Sequence, residues 1–200
     1  MMATAAIRAG SWPAVAGLAT AATVPGGFGV LFPAATTVLF PMGFALCAAA
    51  AAFTLDEPAS PVVDVTPTST ARRTAARAPA LLSPLTAGTA LILAGALRGL
   101  ALPWGPITLA LAGNVLLGFT VACVGRTRSG VPGPAASTAV VAILILPATI
   151  PLLARRLHTF PTPDGGGLSS DKLWWIVLAL CVVAIATSVS HRRTPWGECD

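Results

Sequence analysis

Where charge is missing decides what this chain can be. No Asp, Glu, Lys or Arg falls between Arg8 and Asp56, Arg77 and Arg98, Arg98 and Arg126, Arg128 and Arg155, or Lys172 and Arg192. A helix that crosses the hydrocarbon of a bilayer needs about 20 mostly apolar residues, at about 1.5 Å of rise each. Each gap is long enough for one such helix, and the first is long enough for two. Only 10% of the 200 residues are charged, against about a quarter in an ordinary soluble domain. Mean hydropathy is +0.81. A soluble fold of this size would lack the polar surface to stay in water. In lipid every backbone polar group must be satisfied internally, which leaves helices as the reading for apolar runs of this length. The fold class expected is all-α: a polytopic integral membrane helical bundle forming a single transmembrane domain over residues 1–200.

Six spans fit the gaps, with five as the alternative if the first gap makes only one crossing. Pro and Gly punctuate, so the first gap divides either at Pro25-Gly26-Gly27 or at Phe32-Pro33. The spans are expected at about Trp12–Leu31, Ala34–Leu55, Ala80–Leu102, Ile107–Val124, Ala135–Leu153 and Leu173–Val189. Pro103-Trp104-Gly105-Pro106 turns the chain between spans three and four, and Trp104 suits a membrane interface. Pro147 and Pro151 each remove a backbone donor from span five and are expected to bend or break it toward its outer end. The segment Arg155–Asp171 reads as an exposed loop. The apolar block after MMATAAIRAG outruns a signal-peptide core, so it is read as a signal anchor or first span.

Arginine bookkeeping sets the orientation, because short cytoplasmic loops carry the positive charge. Six spans with the N-terminus inside put Arg8, Arg72, Arg73, Arg77, Arg126, Arg128, Arg192 and Arg193 inside. Arg155, Arg156 and Lys172 fall outside. The expected location is the cell membrane, with both termini cytoplasmic. The net charge of +5 follows from these loops. No basic face with interleaved aromatics accompanies it, and nucleic acid is not an expected partner.

The usual chemistry-bearing patterns are missing. The one lysine, Lys172, stands in SSDKLWW, so no phosphate-cradling GxxxxGK[ST] loop exists. Intramembrane hydrolysis would need paired acids, or His with acids, inside the spans. Neither is present, and the chain is not expected to be an enzyme or to bind a cofactor or metal. Cys47, Cys123, Cys181 and Cys199 form no CxxC pair, and buried free thiols acting as small hydrophobes are the default. Arg98 is the one charged residue and Asn114 the one amide within the spans. Arg98 is read as snorkelling to the outer headgroups from four residues inside span three. Asn114 is read as an amide available for hydrogen bonding between helices. Gly95 and Gly99 form a GxxxG spacing that would let two helices approach.

The longest polar stretch is Leu55–Ala80, LDEPASPVVDVTPTSTARRTAARAPA. Thr66-Pro67 is a good helix start, a capping hydroxyl followed by proline at the first position. A helix is expected over Pro67–Ala78. Arg73 and Arg77, at i and i+4, would share a face, with Arg72 beside them. Asp56 and Glu57 close span two, and Asp64 lies in the loop between. Such a basic helix can lie on anionic headgroups or dock on an acidic partner.

This loop carries a resemblance. An alanine-rich span ending AAAAAFTLDEPA, then VDVTPTSTARRTAARA, then a new apolar span, resembles actinobacterial ABC exporter permeases of the second type. The resemblance implies six spans with cytoplasmic termini. It further implies a coupling helix in the loop 56–79 that sits on a separate ATP-binding subunit, with Asp56, Glu57, Asp64, Arg72, Arg73 and Arg77 as the partner-coupling residues. The partners it implies are the lipid bilayer, that ATPase, and a second permease, identical or different, in a dimer. This chain is small for the class. The alternative reading is a non-transporting membrane anchor, assembly factor or regulator using the same loop.

The orientation is checked by cysteine accessibility. Ser69→Cys should label from the cytoplasmic side and Ser169→Cys from outside; labelling of both from one side would refute the assignment.

Overall fold

The computed structural model describes residues 11–56, 70–126, 131–149 and 170–190. Seven α-helices are formed among these residues, and no strand. They are α1 (Trp12–Leu31), α2 (Thr36–Ala52), α3 (Thr70–Arg77), α4 (Leu82–Leu97), α5 (Trp104–Gly125), α6 (Gly133–Thr149) and α7 (Ser170–Ser190). Tight 3₁₀ turns flank α2 at Pro33–Ala35 and Phe53–Leu55, and one precedes α4 at Ala78–Leu81. Five of the helical stretches are long and apolar enough to cross a membrane, and α6 is a shorter apolar helix beside them.

The first apolar gap divides at Phe32-Pro33. Helix α1 continues through Pro25. The reason lies in hydrogen bonding. Proline at 33 has no N–H to give the Gly29 carbonyl one turn back, and the helix stops. The orphaned Gly29 oxygen is taken up by the Thr36 hydroxyl, 2.7 Å away and buried. That bond fastens the start of α2 to the end of α1.

Span three is shorter than expected. It ends at Leu97 and not at Leu102, because Gly99 takes φ +70°, a conformation glycine adopts without steric cost. The Leu100 N–H bonds the Gly95 carbonyl at 3.0 Å and the Gly99 N–H bonds the Ala96 carbonyl at 2.8 Å. This is the Schellman closure, which satisfies carbonyls the helix would otherwise leave bare. Arg98 therefore caps the helix and is exposed; it does not interrupt a span. Gly95 and Gly99 are not a helix-packing pair, since only Gly95 is helical.

Span four begins at Trp104, three residues earlier than expected. Pro106 sits in the first turn, where its missing N–H would have had no partner. Helix α6 begins at Gly133 and runs through Pro147 to Thr149, so Pro147 does not break it; Pro151 lies outside the described residues. Helix α7 begins at Ser170 and places Asp171 in its first turn, where the helix dipole favours an acid.

Helices α2 and α5 form the centre, and the others surround them. Phe40, Phe44, Cys47, Ile107, Leu111 and Val115 make one buried cluster. The Phe40 and Phe44 rings meet edge-on at 6.1 Å. Ala48 to Ala52 are all buried. Small side chains let helices approach in lipid, where the hydrophobic effect does not press them together. The closest approach is backbone to backbone: a Cβ on Gly118 of α5 would collide with the Ala48 carbonyl of α2. Elsewhere a large side chain fills the space over a glycine, Leu91 over Gly26, Leu111 over Gly88 and Trp174 over Gly113. The last contact seats α7 on α5.

Gly118→Ala is therefore expected to destabilise the bundle by about 1–3 kcal/mol, because backbone must move. Gly17→Ala has nothing within 4 Å of the new carbon; it should be neutral or gain up to about 1 kcal/mol from helix propensity. Thermal unfolding in detergent measures both, and equal effects would contradict the close contact.

Candidate functional site

One end of the bundle gathers the ends of several helices through polar contacts. Asp56 follows the 3₁₀ turn that closes α2. Its backbone N–H bonds the Phe53 carbonyl at 3.2 Å, which turns the chain out of the helix. The residue is 2% exposed. Its carboxylate Oδ1 accepts the backbone N–H of Gly133, 77 positions along the chain. Gly133 is the first residue of α6. The first amides of a helix have no partner within it, and the dipole favours negative charge there. Asp56 thus caps a helix that begins elsewhere in the sequence.

Helix α3 supplies the second contact. Arg77 Nη1 donates to the Asp56 carbonyl oxygen at 2.7 Å. Arg77 is 6% exposed and Thr74, three residues earlier, 8%. They form the inward face of α3, while Ala75 and Ala76 are exposed and Arg73 is half-buried. The expected basic helix is present over Thr70–Arg77. The Thr66-Pro67 start, Glu57 and Asp64 lie outside the described residues, and Arg72 is placed only as a position on α3.

The fit is close around Gly133. A Cβ there would strike the Asp56 carboxylate and the Phe53 ring, so only glycine fits. The neighbouring Gly125 packs on Pro132, which brings the end of α5 to the same place. Arg126 follows, 8% exposed, at a helix C-terminus where a cation is favoured. Ile185 of α7 packs on the cluster of Ala52, Leu55, Phe119 and Ala136 just beneath. The site joins α2, α3, α5 and α6, with the late part of α7 against it.

Asn114, the amide within a span, is buried. Its Nδ2 donates to the Ala110 carbonyl of its own helix at 2.7 Å, so the interhelical bond expected of it is not the one made. Cys47, Cys123 and Cys181 are free and buried. No group of three or more His, Cys, Asp or Glu capable of holding a metal occurs among the described residues.

Gly133 and Arg126 escape a reading of the sequence by motif. The signal available was Pro132-Gly133-Pro134, a proline-flanked glycine at a helix start, but nothing local points to Asp56. No family model matches this chain, and no curated protein or solved structure matches it.

Burial pushes the Asp56 carboxyl above the usual carboxylate range; the Gly133 amide and the Arg77 charge pull it partly back. A raised acid binds its proton more readily in the folded chain than in the unfolded one. Stability from this group is therefore greatest at low pH. It is lost as pH climbs from the ordinary carboxylate range through the raised value, and it is level above that. Asp56→Asn keeps an oxygen for Gly133 and should remove this pH dependence, with stability within about 1 kcal/mol of the parent at neutral pH. Asp56→Ala leaves the Gly133 N–H without an acceptor and should cost about 1–3 kcal/mol. Unfolding across pH 3 to 8, a range of roughly the relevant carboxylate titration, tests both; an unchanged slope in Asp56→Asn would refute the assignment.

Proposed function

We propose that this chain is the membrane-spanning permease subunit of an ATP-driven transporter, coupled through the loop 56–79 to a separate ATPase subunit. The observation that carries the reading is the pair of bonds from Arg77 to Asp56 and from Asp56 to Gly133. A helix of eight residues is marginal by itself in water. Here α3 leads directly into α4 through the turn at Ala78–Leu81, and Arg77 ties it to the end of α2. Asp56 then ties the end of α2 to the start of α6. Displacing α3 therefore displaces three helices together, which is the mechanical property a coupling helix requires.

The geometry divides the arginines by task. Arg77 faces inward and transmits force. Arg73, half-buried on the same helix, and Arg72 beside it are the residues for the ATPase surface. Arginine suits fixed, two-pronged bonding to carboxylates better than lysine does. The end that holds the Arg77–Asp56–Gly133 contacts, the clasp, faces the cytoplasm on this reading. Among the described residues it carries Arg72, Arg73, Arg77 and Arg126, while the opposite end carries Arg98 and Lys172, the distribution that the positive-inside bias favours.

Co-purification from the native host tests the proposal, using the full chain and any ATP-binding-cassette protein recovered with it. Arg72→Lys with Arg73→Lys preserves charge and leaves Arg77 in place. Docking should weaken about tenfold, a loss of about 1.4 kcal/mol, with a matching fall in stimulated ATP hydrolysis. Adsorption to lipid alone would be unchanged by this exchange. Unaltered complex and activity would defeat the coupling role, and the absence of any associated ATPase would leave an anchor or regulator as the function.

A further inference from the structure

The surroundings of the Asp56 carboxyl suit its neutral form. Among the described residues its one hydrogen bond is from the Gly133 N–H to Oδ1. The other oxygen, Oδ2, faces the α-carbon of the same glycine, where an added Cβ would collide with it and with the Phe53 ring. Arg77 Nη1 donates to the backbone carbonyl of Asp56 and not to the carboxyl. An ionised carboxylate has acceptor sites for about four donors, and burying its charge without them is costly. A neutral acid has no charge to bury there.

Two elements bring charge near. Helix α3 carries Arg77 and, one turn back, Arg73; the end of α5 carries Arg126, with the Cys123 thiol a turn before it. The last turn of α2, the start of α6 and the late part of α7 bring no titratable group among the described residues. Burial favours the protonated carboxyl and outweighs the Gly133 amide and the Arg77 charge, which favour the ionised one. Helix α3 completes the enclosure. Thr74 and Arg77 are buried on it, and it packs on the turn that ends α2 and on α7. At eight residues it is too short to hold its shape in water unaided, so its seat depends on these contacts.

We propose that the clasp is a pH-sensitive joint, which closes on the protonated Asp56 carboxyl and loosens as that carboxyl gives its proton to water. The transition is local, a lifting of α3 within a folded bundle, and is distinct from unfolding of the whole chain. Its sign follows from linkage. From the ordinary carboxylate range up to the raised value, each pH unit favours the open joint about tenfold, and above that the effect is level. The joint is a property of this chain alone and holds whether or not an ATPase is its partner.

Thiol labelling of the folded full chain in detergent tests this. Thr74→Cys, similar in size at a buried position, reacts when α3 lifts, and Ala76→Cys, exposed on the same helix, reacts freely. Dithiodipyridine reacts with thiols even in acid, and peptide mass spectrometry reads each site separately. The ratio of the two rates cancels the pH dependence of the thiol chemistry and reports the open fraction. Between about pH 4 and 8 it should rise about tenfold per pH unit and then level. Asp56→Asn should make it flat. Arg77→Gln, which removes the charge that favours ionisation, should carry the rise to higher pH. Cys47, buried in the bundle core, reports unfolding of the whole chain and should label more slowly than position 74 throughout. A ratio well below one that is flat or falls with pH, the same rise in Asp56→Asn, or equal labelling of Cys47 and position 74 would overturn the proposal. Should Thr74→Cys itself unseat α3, seen as a ratio near one at every pH, nitroxides on Ala76→Cys and Ala135→Cys, both exposed positions, read the same opening across α3 and α6. A longer distance should then grow in with pH in the parent and not in Asp56→Asn, and a distance indifferent to pH would overturn the joint.

Discussion

The whole bundle turns on the contact between Gly118 and the Ala48 carbonyl. Hydrophobic burial does not hold helices together in lipid, because the solvent is as apolar as the side chains. What remains is dispersion, which falls off steeply with separation. Helices that touch at their backbones gain the most of it. The run Ala48–Ala52 keeps α2 thin on every side, and Gly118 removes the last obstacle on α5. Once these two are in contact, their outer faces become the surfaces on which α1, α4, α6 and α7 find places. Leu91, Leu111 and Trp174 then fill the hollows over facing glycines.

Polar contacts do a different job. Several of them sit where a helix begins or ends. Thr36 takes the carbonyl that Pro33 abandons, Gly99 closes α4, and Asp56 accepts the first amide of α6. In a low-dielectric setting an unsatisfied backbone group is costly. These side chains therefore fix where spans stop, and packing fixes how spans sit. Asp56 and Arg77 go further than satisfaction of the backbone: Arg77 ties α3 to the end of α2, and Asp56 joins that end to α6, 77 positions along the chain.

Much of the helix placement was legible in the residues. The bounds of α1 match the expectation, because charge-free length and a Phe32-Pro33 break are local signals. The end of span three was misplaced because Leu100–Leu102 continues the apolar pattern, while Gly99 ends the helix by conformation and not by polarity. The centrality of α2 and α5 could not be read at all: every span is apolar on all sides, so no amphipathic stripe marks an inner face. Asp56 and Arg77 were singled out from the loop, but as surface groups. Their burial depends on Gly133, and a hydrogen bond across 77 positions leaves no periodic trace in either partner. The backbone bonding of Asn114 was likewise hidden, since an amide can turn to its own helix or to another with equal composition.

The Thr36–Gly29 bond has a consequence in time. It completes a two-helix hairpin within the first 55 residues, using nothing that comes later. The clasp cannot do this, because Asp56 is made long before its partner amide at Gly133. During synthesis the residues of this α1–α2 bond are made together, before the four apolar helices α4, α5, α6 and α7 that follow. Asp56 waits at the rim of that hairpin, in contact with water, until α6 begins. Its burial needs an amide made 77 residues later, so that end of the bundle closes only after α6 has begun.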